Sequence, residues 1–152
     1  MLGRTYDGEV CSIARSLEIV GERWTLLIIR NALFAGATRF GDFQRRLGIA
    51  TNVLAARLDG LVTAGVMERS SSAATAEYLL TEKGRDLRGA LVALTDWGDR
   101  WAAPDGPPII YRHDGCTGEV HGRIVCDACG AEPDAATASR GPGMPEEHAD
   151  GG

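Results

Sequence analysis

Residues 39–69 read RFGDFQRRLGIATNVLAARLDGLVTAGVMER, and this stretch decides the fold. Phe40, Phe43 and Leu47 are spaced by three and four positions, which predicts a short helix with one apolar face. Gly48 follows directly and favours the left-handed conformation in which many helices end. We expect Ile49 to fill the turn that leads to the next helix.

A second helix is predicted to begin near Thr51 and to stop at Gly65, after which Val66 returns to the core. Its apolar residues are spaced by four, three and one positions, as a helix packed on a core requires. These residues are Leu54, Leu58, Leu61 and Val62. Two short helices joined by a tight turn form a helix-turn-helix, whose second helix can lie in the major groove of DNA.

The face of the second helix opposite its apolar row is rich in small side chains, which allow close approach to a groove. Asn52 can bind adenine through two hydrogen bonds, Arg57 can bind guanine or phosphate, and alanine methyl groups can contact thymine. The predicted DNA-binding residues are Arg39, Arg45, Arg46, Thr51, Asn52, Ala55, Ala56, Arg57 and Ser71. The same pattern also fits a solvated face of a small helical bundle, with Arg57 in a surface ion pair.

Two helices are predicted before this stretch, one ending at Gly21 and one running from about Arg23 to the Ala35-Gly36 turn. Trp24 is expected to anchor the core, because a large aromatic residue in an apolar row usually packs. Cys11 stands near the start of the first helix, where a helix N-terminus and Arg15 would favour its thiolate form. Redox or electrophile sensing through Cys11 is one interpretation, and a buried, unreactive cysteine is the other.

Two short extended pieces around a tip of small residues follow Val66 and predict a β-hairpin over residues 67–80. A hairpin directly after a recognition helix is a wing, which lies along the neighbouring DNA backbone or minor groove. Serine hydroxyls such as that of Ser71 could then contact phosphate. An ordinary surface loop is equally consistent with this sequence.

A long helix is predicted from Thr81, its N-cap, to about Trp101. Its apolar positions alternate spacings of four and three, which is typical of a packing seam between helices. The seam consists of Leu87, Leu91, Leu94, Gly98 and Trp101. We interpret it as a homodimer interface, formed together with the N-terminal helices, and the alternative is intramolecular packing against the first helix.

The charge of the chain is unevenly distributed. Of the formal net charge of −5 over 152 residues, residues 1–100 carry +1 and residues 101–152 carry −6, while residues 39–69 alone carry +2. DNA affinity depends on phosphates neutralised at the contact surface, so the average charge does not exclude DNA. No membrane-length apolar run or signal peptide is evident, which predicts a cytoplasmic protein. No nucleophile–base set, carboxylate pair or phosphate-binding glycine loop suggests an enzyme.

Taken together, the ordered residues resemble an HxlR-type winged helix-turn-helix transcriptional regulator. The resemblance extends from about position 11 to position 101, roughly 60% of the chain. It is carried by Cys11, Gly21-Glu22-Arg23-Trp24, Leu27 to Ile29, Arg39-Phe40, Gly48-Ile49, Leu54, Arg57-Leu58, Leu61, Gly65, Glu77-Tyr78, Leu80-Thr81, Gly84 and Trp97. The resemblance implies a bacterial homodimer that binds palindromic operator DNA. It also implies that Cys11 occupies the position of a cysteine through which some relatives sense oxidants or electrophiles.

Three positions depart from the pattern of that family. Ser12 stands where a proline usually follows the cysteine, and Ala50 stands where a serine usually caps the recognition helix. The missing cap costs about 1 kcal/mol. Ala74-Thr75-Ala76 replaces a Pro-Pro-Arg element before the second wing strand, so the recognition helix must carry more of the specificity.

The C-terminal part begins with a Pro- and Gly-rich linker at positions 104–108. We predict one strand at residues 109–112 and a second at residues 122–125, forming a hairpin. Beyond about Pro133 the chain is rich in Ala, Gly, Pro and Glu and is predicted to be disordered.

This predicted hairpin carries two pairs of metal-ligating residues, His113-x2-Cys116 and Cys126-x2-Cys129. Two such pairs on opposite arms of a hairpin suit one structural, tetrahedral zinc ion. His121 could compete with His113 as a ligand. Loss of metal binding, or a redox-active Cys-x-x-Cys, remain as alternatives. The segment also resembles a zinc-ribbon-like tail of some actinobacterial relatives, with Thr117 where a glycine is usual there.

The sequence therefore predicts a mainly α protein with a small β-wing (α+β), a winged helix-turn-helix followed by a zinc-ribbon-like β-hairpin. The expected divisions are residues 1–103 for DNA binding and dimerisation, 104–132 for the hairpin and 133–152 for the tail. The predicted function is repression of transcription by a homodimer on double-stranded operator DNA. The alternative is a winged-helix protein-interaction module with a metal-stapled hairpin. A small-molecule effector, if used, would bind between the N-terminal helices and the dimer helices.

Overall fold

The computed structural model describes residues 5, 6, 8, 10–71 and 75–145 of the chain. Within these residues, no helix has the length and apolar character needed to cross a bilayer. The elements in chain order are α1 Ser12–Val20, α2 Thr25–Ala35, α3 Phe40–Leu47, α4 Thr51–Thr63, β1 Met67–Ser70, β2 Glu77–Leu80, α5 Glu82–Arg85 and α6 Arg88–Trp101.

The predicted helix-turn-helix is confirmed as α3 and α4. Gly48 ends α3 in the left-handed region with φ of 62°, and Gly65 follows α4 with φ of 71°. Glycine adopts this region without the steric cost that a Cβ would bring. Ile49, only 3% exposed, fills the turn between the two helices as expected.

One hydrophobic core joins α2, α3, α4 and the wing. Three residues of the predicted apolar row of α4 lie inside it, since Leu54 and Leu58 are 0% exposed and Leu61 is 2% exposed, while Val62 packs partly buried against it. The core also contains Val20, Ile28, Ile29, Ala37, Phe43, Ile49, Val66, Met67, Tyr78 and Leu91. Trp24 packs against this core, as expected. It lies at the edge of the core and remains partly exposed.

The predicted wing is confirmed as an antiparallel pair, with Met67 opposite Leu80 and Ser70 opposite Glu77. The wing is tied to the start of α3, because the Tyr78 N–H donates to the Thr38 carbonyl at 2.7 Å. The predicted wing tip over Ser72–Ala74 lies outside the described residues.

The single long helix predicted from Thr81 is wrong in one respect. The chain forms a one-turn helix, α5, and then α6, with Asp86 and Leu87 between them. Thr81 caps α5 as predicted, its hydroxyl accepting the Gly84 N–H at 3.3 Å. A Cβ at Gly84 would lie 2.2 Å from the Val66 carbonyl oxygen, so only glycine allows α5 to approach the end of α4 this closely.

The packing seam predicted along this helix is divided between two environments. Leu91 is 5% exposed in the core, and Leu87 packs partly buried against the same core. Leu94 and Trp101, by contrast, are 52% and 65% exposed. The expectation that the whole seam faces a partner is therefore wrong for its first half, which the subunit's own α2 covers.

The C-terminal segment differs from the predicted two-strand hairpin. The Val120 N–H donates to the Tyr111 carbonyl at 2.9 Å and the His113 N–H donates to the Gly118 carbonyl at 2.8 Å, but no regular strand forms in the described part of 104–145. The main-chain pairing therefore begins directly after the turn that contains His113 and Cys116. The second strand had been predicted further along, at residues 122–125. The reason is local, since residues 113–118 close on themselves and make the hairpin turn there.

Candidate nucleic-acid interface

The outer face of α4, defined here as Asn52, Ala56, Asp59 and Gly60, is exposed in the folded chain. It lies opposite the buried row of leucines, as the 3.6-residue period of the helix requires. Three of its members present small or amide side chains, so the backbone of α4 can come close to a flat or concave partner. Ala55, which was predicted on the flank of this face, is half-buried.

The beginning of α4 has no side-chain cap, as the alanine at position 50 predicts. The Thr51 hydroxyl does not substitute for the cap, because it accepts a hydrogen bond from Gln44 Nε2 at 2.7 Å. The first N–H groups of α4 therefore have no side-chain acceptor and carry the positive end of the helix dipole. Such a terminus is suited to an anion such as a DNA phosphate.

Arginines lie beside this terminus on α3. Arg46 is exposed, and the side chain of Arg45 is 71% exposed with a guanidinium nitrogen 2.8 Å from Asp42. The hydrogen bond from Arg45 lowers the pKa of the Asp42 carboxyl. Arg39 lies at the start of α3. Its side chain is 58% exposed, and its Nε is 3.8 Å from Glu77 Oε1 of the wing. All three arginines thus reach solvent. Arg39 and Arg45 each lie beside an acidic side chain.

Arg57 is held differently from the other predicted contacts. Its side chain is 26% exposed, and its buried Nε lies 3.0 Å from Glu22 Oε2 in the turn between α1 and α2. Glu22 also accepts the main-chain N–H of Trp24 at 2.9 Å, which fixes the carboxylate. The ion pair that the sequence analysis gave as the alternative for Arg57 is present. Glu22 was not identified from the sequence, since nothing in a one-dimensional pattern pairs positions 35 residues apart.

An open cleft of about 820 Å³ lies beside this ion pair. Tyr6, Leu17 and Glu22 line one side of it, and Arg57 and Gly60 of α4 line the other. The Glu18 carboxylate accepts the Tyr6 N–H at 2.8 Å, and this bond together with Arg15 lowers the pKa of Glu18. The N-terminal arm is thereby attached to α1 next to the recognition helix.

The wing offers two polar groups to a neighbouring duplex. Ser71 is exposed directly after β1, as predicted. Arg69 of β1 is also exposed, with its guanidinium 5.9 Å from the centre of the Tyr78 ring. The sequence analysis missed Arg69 as a candidate, because strand alternation places it on the same face as the buried Met67 and so gives no signal of its exposure.

Cys11 is an exposed N-cap residue of α1. The Nη1 of Arg15 lies 2.8 and 3.1 Å from the two carboxylate oxygens of Glu18, so Arg15 forms an ion pair within α1. The exposure of Cys11 excludes the alternative of a buried cysteine. Its redox sensing stays a prediction.

The four predicted zinc ligands form two separate pairs. His113 Nδ1 lies 3.1 Å from Cys116 Sγ, and the N–H groups of Cys129 and Ala128 lower the pKa of Cys126. Nowhere in the described residues do three or more His, Cys, Asp or Glu side chains converge in a way that could hold a metal. The predicted four-ligand cluster is therefore not assembled in this structure.

The competing ligand, His121, is engaged elsewhere. Its Nδ1 lies 2.8 Å from Asp96 Oδ1 on α6, and the neighbouring Gly122 N–H donates to Asp96 Oδ2 at 2.7 Å. The C-terminal segment also stacks Tyr111 on Phe34, with ring centres 4.1 Å apart. These contacts attach the segment between α2 and α6.

A helix-turn-helix followed directly by a two-stranded hairpin defines a winged helix-turn-helix protein. The family model described as "HxlR-like helix-turn-helix" matches residues 19–106, and the chain belongs to this family. Its relatives are named HTH-type transcriptional regulators, so the fold and the family place the chain among DNA-binding regulators of transcription rather than among enzymes.

Relatives and solved structures are similar over nearly the whole chain. An uncharacterised HTH-type transcriptional regulator of Mycobacterium tuberculosis is 46% identical over 146 residues, covering 93% of this chain and 90% of the relative. The crystal structure of PA1607, described as "a Putative Transcription Factor", has a TM-score of 0.80 at 38% identity and covers 88% of this chain and 97% of its own. The structure of PA1374 of Pseudomonas aeruginosa, described in the same words, has a TM-score of 0.64 at 39% identity, covering 90% of this chain and 97% of its own.

Proposed function

We propose that this protein is a cytoplasmic, sequence-specific repressor that binds palindromic operator DNA as a homodimer. The observation that carries the proposal is the exposed outer face of α4, which the core leaves free while burying Leu54, Leu58 and Leu61 on the opposite side. In a winged helix-turn-helix the second helix is the element that enters the major groove.

The proposed contacts divide into two kinds. Asn52 and Ala56 face base edges, and Arg39, Arg45, Arg46 and the uncapped start of α4 near Thr51 face phosphates. Ser71 and Arg69 extend the phosphate contacts along the wing. Arg57 reaches DNA only from a fixed position, since Glu22 holds its Nε at the edge of the interface.

Dimerisation is supported by apolar side chains that the single chain leaves exposed. On α6 they are Leu94, Trp97 and Trp101, and on α1 they are Ile13 and Leu17, with exposed fractions between 44% and 71%. Burying such side chains against a second copy would remove them from water, which favours association. A two-fold axis through this surface would present two copies of α4 to successive major grooves about 34 Å apart.

An oxidant or electrophile is the proposed effector, acting at Cys11. Two similar structures support this part of the proposal. The transcriptional regulator YodB of B. subtilis, with structures of a reduced and a quinone-bound form, is 30% identical and has a TM-score of 0.53 for the reduced form. The redox regulator HypR is 26% identical with a TM-score of 0.52.

The test is selection of DNA from random duplexes by the purified full-length chain, with and without an oxidant, followed by binding measurements on the selected site. We expect a palindromic site whose binding weakens steeply with salt. Asn52→Ala should lower affinity for the selected site by about 1–3 kcal/mol and relax one position in each half-site, with little change on random DNA. Arg46→Ala should weaken both by similar factors.

Arg57→Ala distinguishes direct base reading from a positional role. A loss of about 1–3 kcal/mol confined to the selected site supports a base contact, and equal losses on selected and random DNA support a phosphate contact. Glu22→Gln is the matched variant, because it loosens Arg57 without removing it. No enrichment of any duplex, together with binding that salt does not change, would instead favour the protein-interaction module.

A further inference from the structure

Two turns in the C-terminal segment share one main-chain pattern. In the first, residues 113–118, the His113 N–H donates to the carbonyl five positions later at 2.8 Å, and its carbonyl accepts the N–H four positions later at 2.9 Å. In the second, residues 126–131, the Cys126 N–H donates five positions later at 2.8 Å, and its carbonyl accepts from four positions later at 2.9 Å. We name these turns the first and the second knuckle.

Each knuckle also places a left-handed residue at the same position. Thr117 has φ of 64° in the first knuckle, and Gly130 has φ of 71° in the second. Thr117 is the only residue other than glycine with positive φ in the described part of the chain. This conformation costs a side-chain-bearing residue roughly 1–2 kcal/mol. The first knuckle therefore keeps the shape of the second at a cost in local conformational energy.

This shape brings the first and fourth residues of each knuckle together. His113 Nδ1 and Cys116 Sγ are 3.1 Å apart. The second knuckle has the same main-chain hydrogen bonds, and Cys126 and Cys129 occupy its first and fourth positions. Each knuckle is thus a preformed pair of soft or borderline donors.

We propose that the two knuckles are the halves of one zinc site, with His113, Cys116, Cys126 and Cys129 as its four ligands. One nitrogen and three sulfurs are a donor set that zinc binds tetrahedrally. The structure keeps the halves apart, and residues 119–125 between them contain neither helix nor regular strand. Closing the halves on an ion requires a change of conformation in this connection, and metal binding supplies the free energy for it.

The location of the connection gives the proposed site a structural role. His121 and Gly122, in the middle of the connection, are bonded to Asp96, and Gly122 lies against Ala93 so closely that a Cβ would be 3.2 Å from it. A zinc unit would therefore be fastened to α6, the helix proposed for dimerisation. With four protein ligands it would have no open position, as in structural zinc sites.

The experiment measures zinc and cobalt binding by the reduced full-length chain. We expect one zinc per chain after dialysis, and a Co²⁺ form whose absorption shows thiolate charge transfer and tetrahedral coordination. Cys126→Ser and His113→Asn should each abolish the tetrahedral cobalt spectrum and lower zinc affinity at least tenfold. His121→Asn and Cys11→Ser are the matched controls and should leave stoichiometry and spectrum unchanged.

Three results would overturn the proposal. They are a reduced chain that retains no zinc, a zinc content unaffected by loss of the first knuckle, and two ions per chain, one for each knuckle. Circular dichroism of each variant verifies folding, so that loss of binding is not mistaken for loss of structure. A His121→Asn variant that loses the metal would assign the nitrogen ligand to His121 and also contradict the proposal.

Discussion

The helices α4 and α6 both carry an apolar row at helical spacing, yet the structure uses the rows differently. In α4 the row is covered along its whole length, with Leu54 and Leu58 at 0% exposure and Val62 partly buried at the end. In α6 only the first half is covered, since Leu91 is 5% exposed and Trp101 is 65% exposed. The row of α4 thus serves folding alone, and that of α6 serves both folding and, as proposed, association.

This difference arises from the neighbours of each helix. Helix α4 is enclosed by α3 on one side and by the wing that follows it, whereas α6 contacts α2 and the C-terminal segment but still leaves Leu94 and Trp101 exposed. An apolar face is stabilised by whatever removes it from water, within the subunit or between subunits. Periodicity identifies the face, and the surrounding elements determine what covers it.

The largest expected effect concerns the fully buried row. Leu58→Ala should lower the free energy of unfolding by about 2–5 kcal/mol, because it leaves a cavity in a core that closes around the side chain on every side. Urea denaturation followed by circular dichroism measures this. Ile124→Ala, at a side chain that is 76% exposed, is the control and should change stability by about 0.5 kcal/mol or less. Equal losses in the two variants would contradict the burial of α4.

The next effect compares the buried first half of the α6 row with Trp97, which is exposed beside its second half. Trp97→Ala should raise the dimer dissociation constant by roughly thirty-fold, which corresponds to about 2 kcal/mol for a buried aromatic anchor at an interface. Sedimentation equilibrium measures the change. Leu91→Ala is the paired variant and should mainly lower the stability of the subunit. A Trp97→Ala protein with unchanged self-association would show that this surface does not form the dimer.

The smallest effect concerns the attachment of the C-terminal segment to α6, which depends on pH. Asp96 on α6 and Glu119 in the segment raise the pKa of His121 above its ordinary value of 6.5, and Asp99 lines the same cleft. The hydrogen bond from His121 lowers the pKa of Asp96 below its ordinary value of 3.8.

The sign of each shift sets the pH range of this attachment. The contribution of His121 is complete below pH 6.5 and is lost as pH rises through its raised pKa; that of Asp96 is complete above pH 3.8 and is lost as pH falls through its lowered pKa. Hydrogen exchange at the Gly122 amide should therefore be slowest, after correction for intrinsic rates, between about pH 4 and 6.5. In the His121→Asn protein, the protection of the Gly122 amide should no longer fall as pH rises above 6.5. Protection that stays constant from pH 5 to 9 in the unmodified chain would contradict the ion pair.

Much of the recognition unit was predictable from sequence because its signals are local. The spacing of Phe40, Phe43 and Leu47, and the glycines at 48 and 65, fix α3, α4 and their ends through contacts within a few residues. The exposure of Asn52 and Ala56 then follows from helix geometry.

The C-terminal segment was predicted less well, because fewer of its contacts are between residues close in the sequence. The two ligand pairs were visible, but the strand pairing was misplaced, because it depends on how tightly residues 113–118 close. The position of the segment also depends on contacts between distant residues, such as His121 with Asp96.

The sequence by itself determined the helix-turn-helix, the wing and the side of α4 that faces outward, since these depend on spacings of three, four and two residues. Only the tertiary structure decided that Arg57 pairs with Glu22, that the row of α6 is divided, and that the two knuckles are separate turns. The physical reason is range. Hydrogen bonding and periodicity act between neighbours in the chain, whereas burial and ion pairing depend on which distant residues the fold brings together.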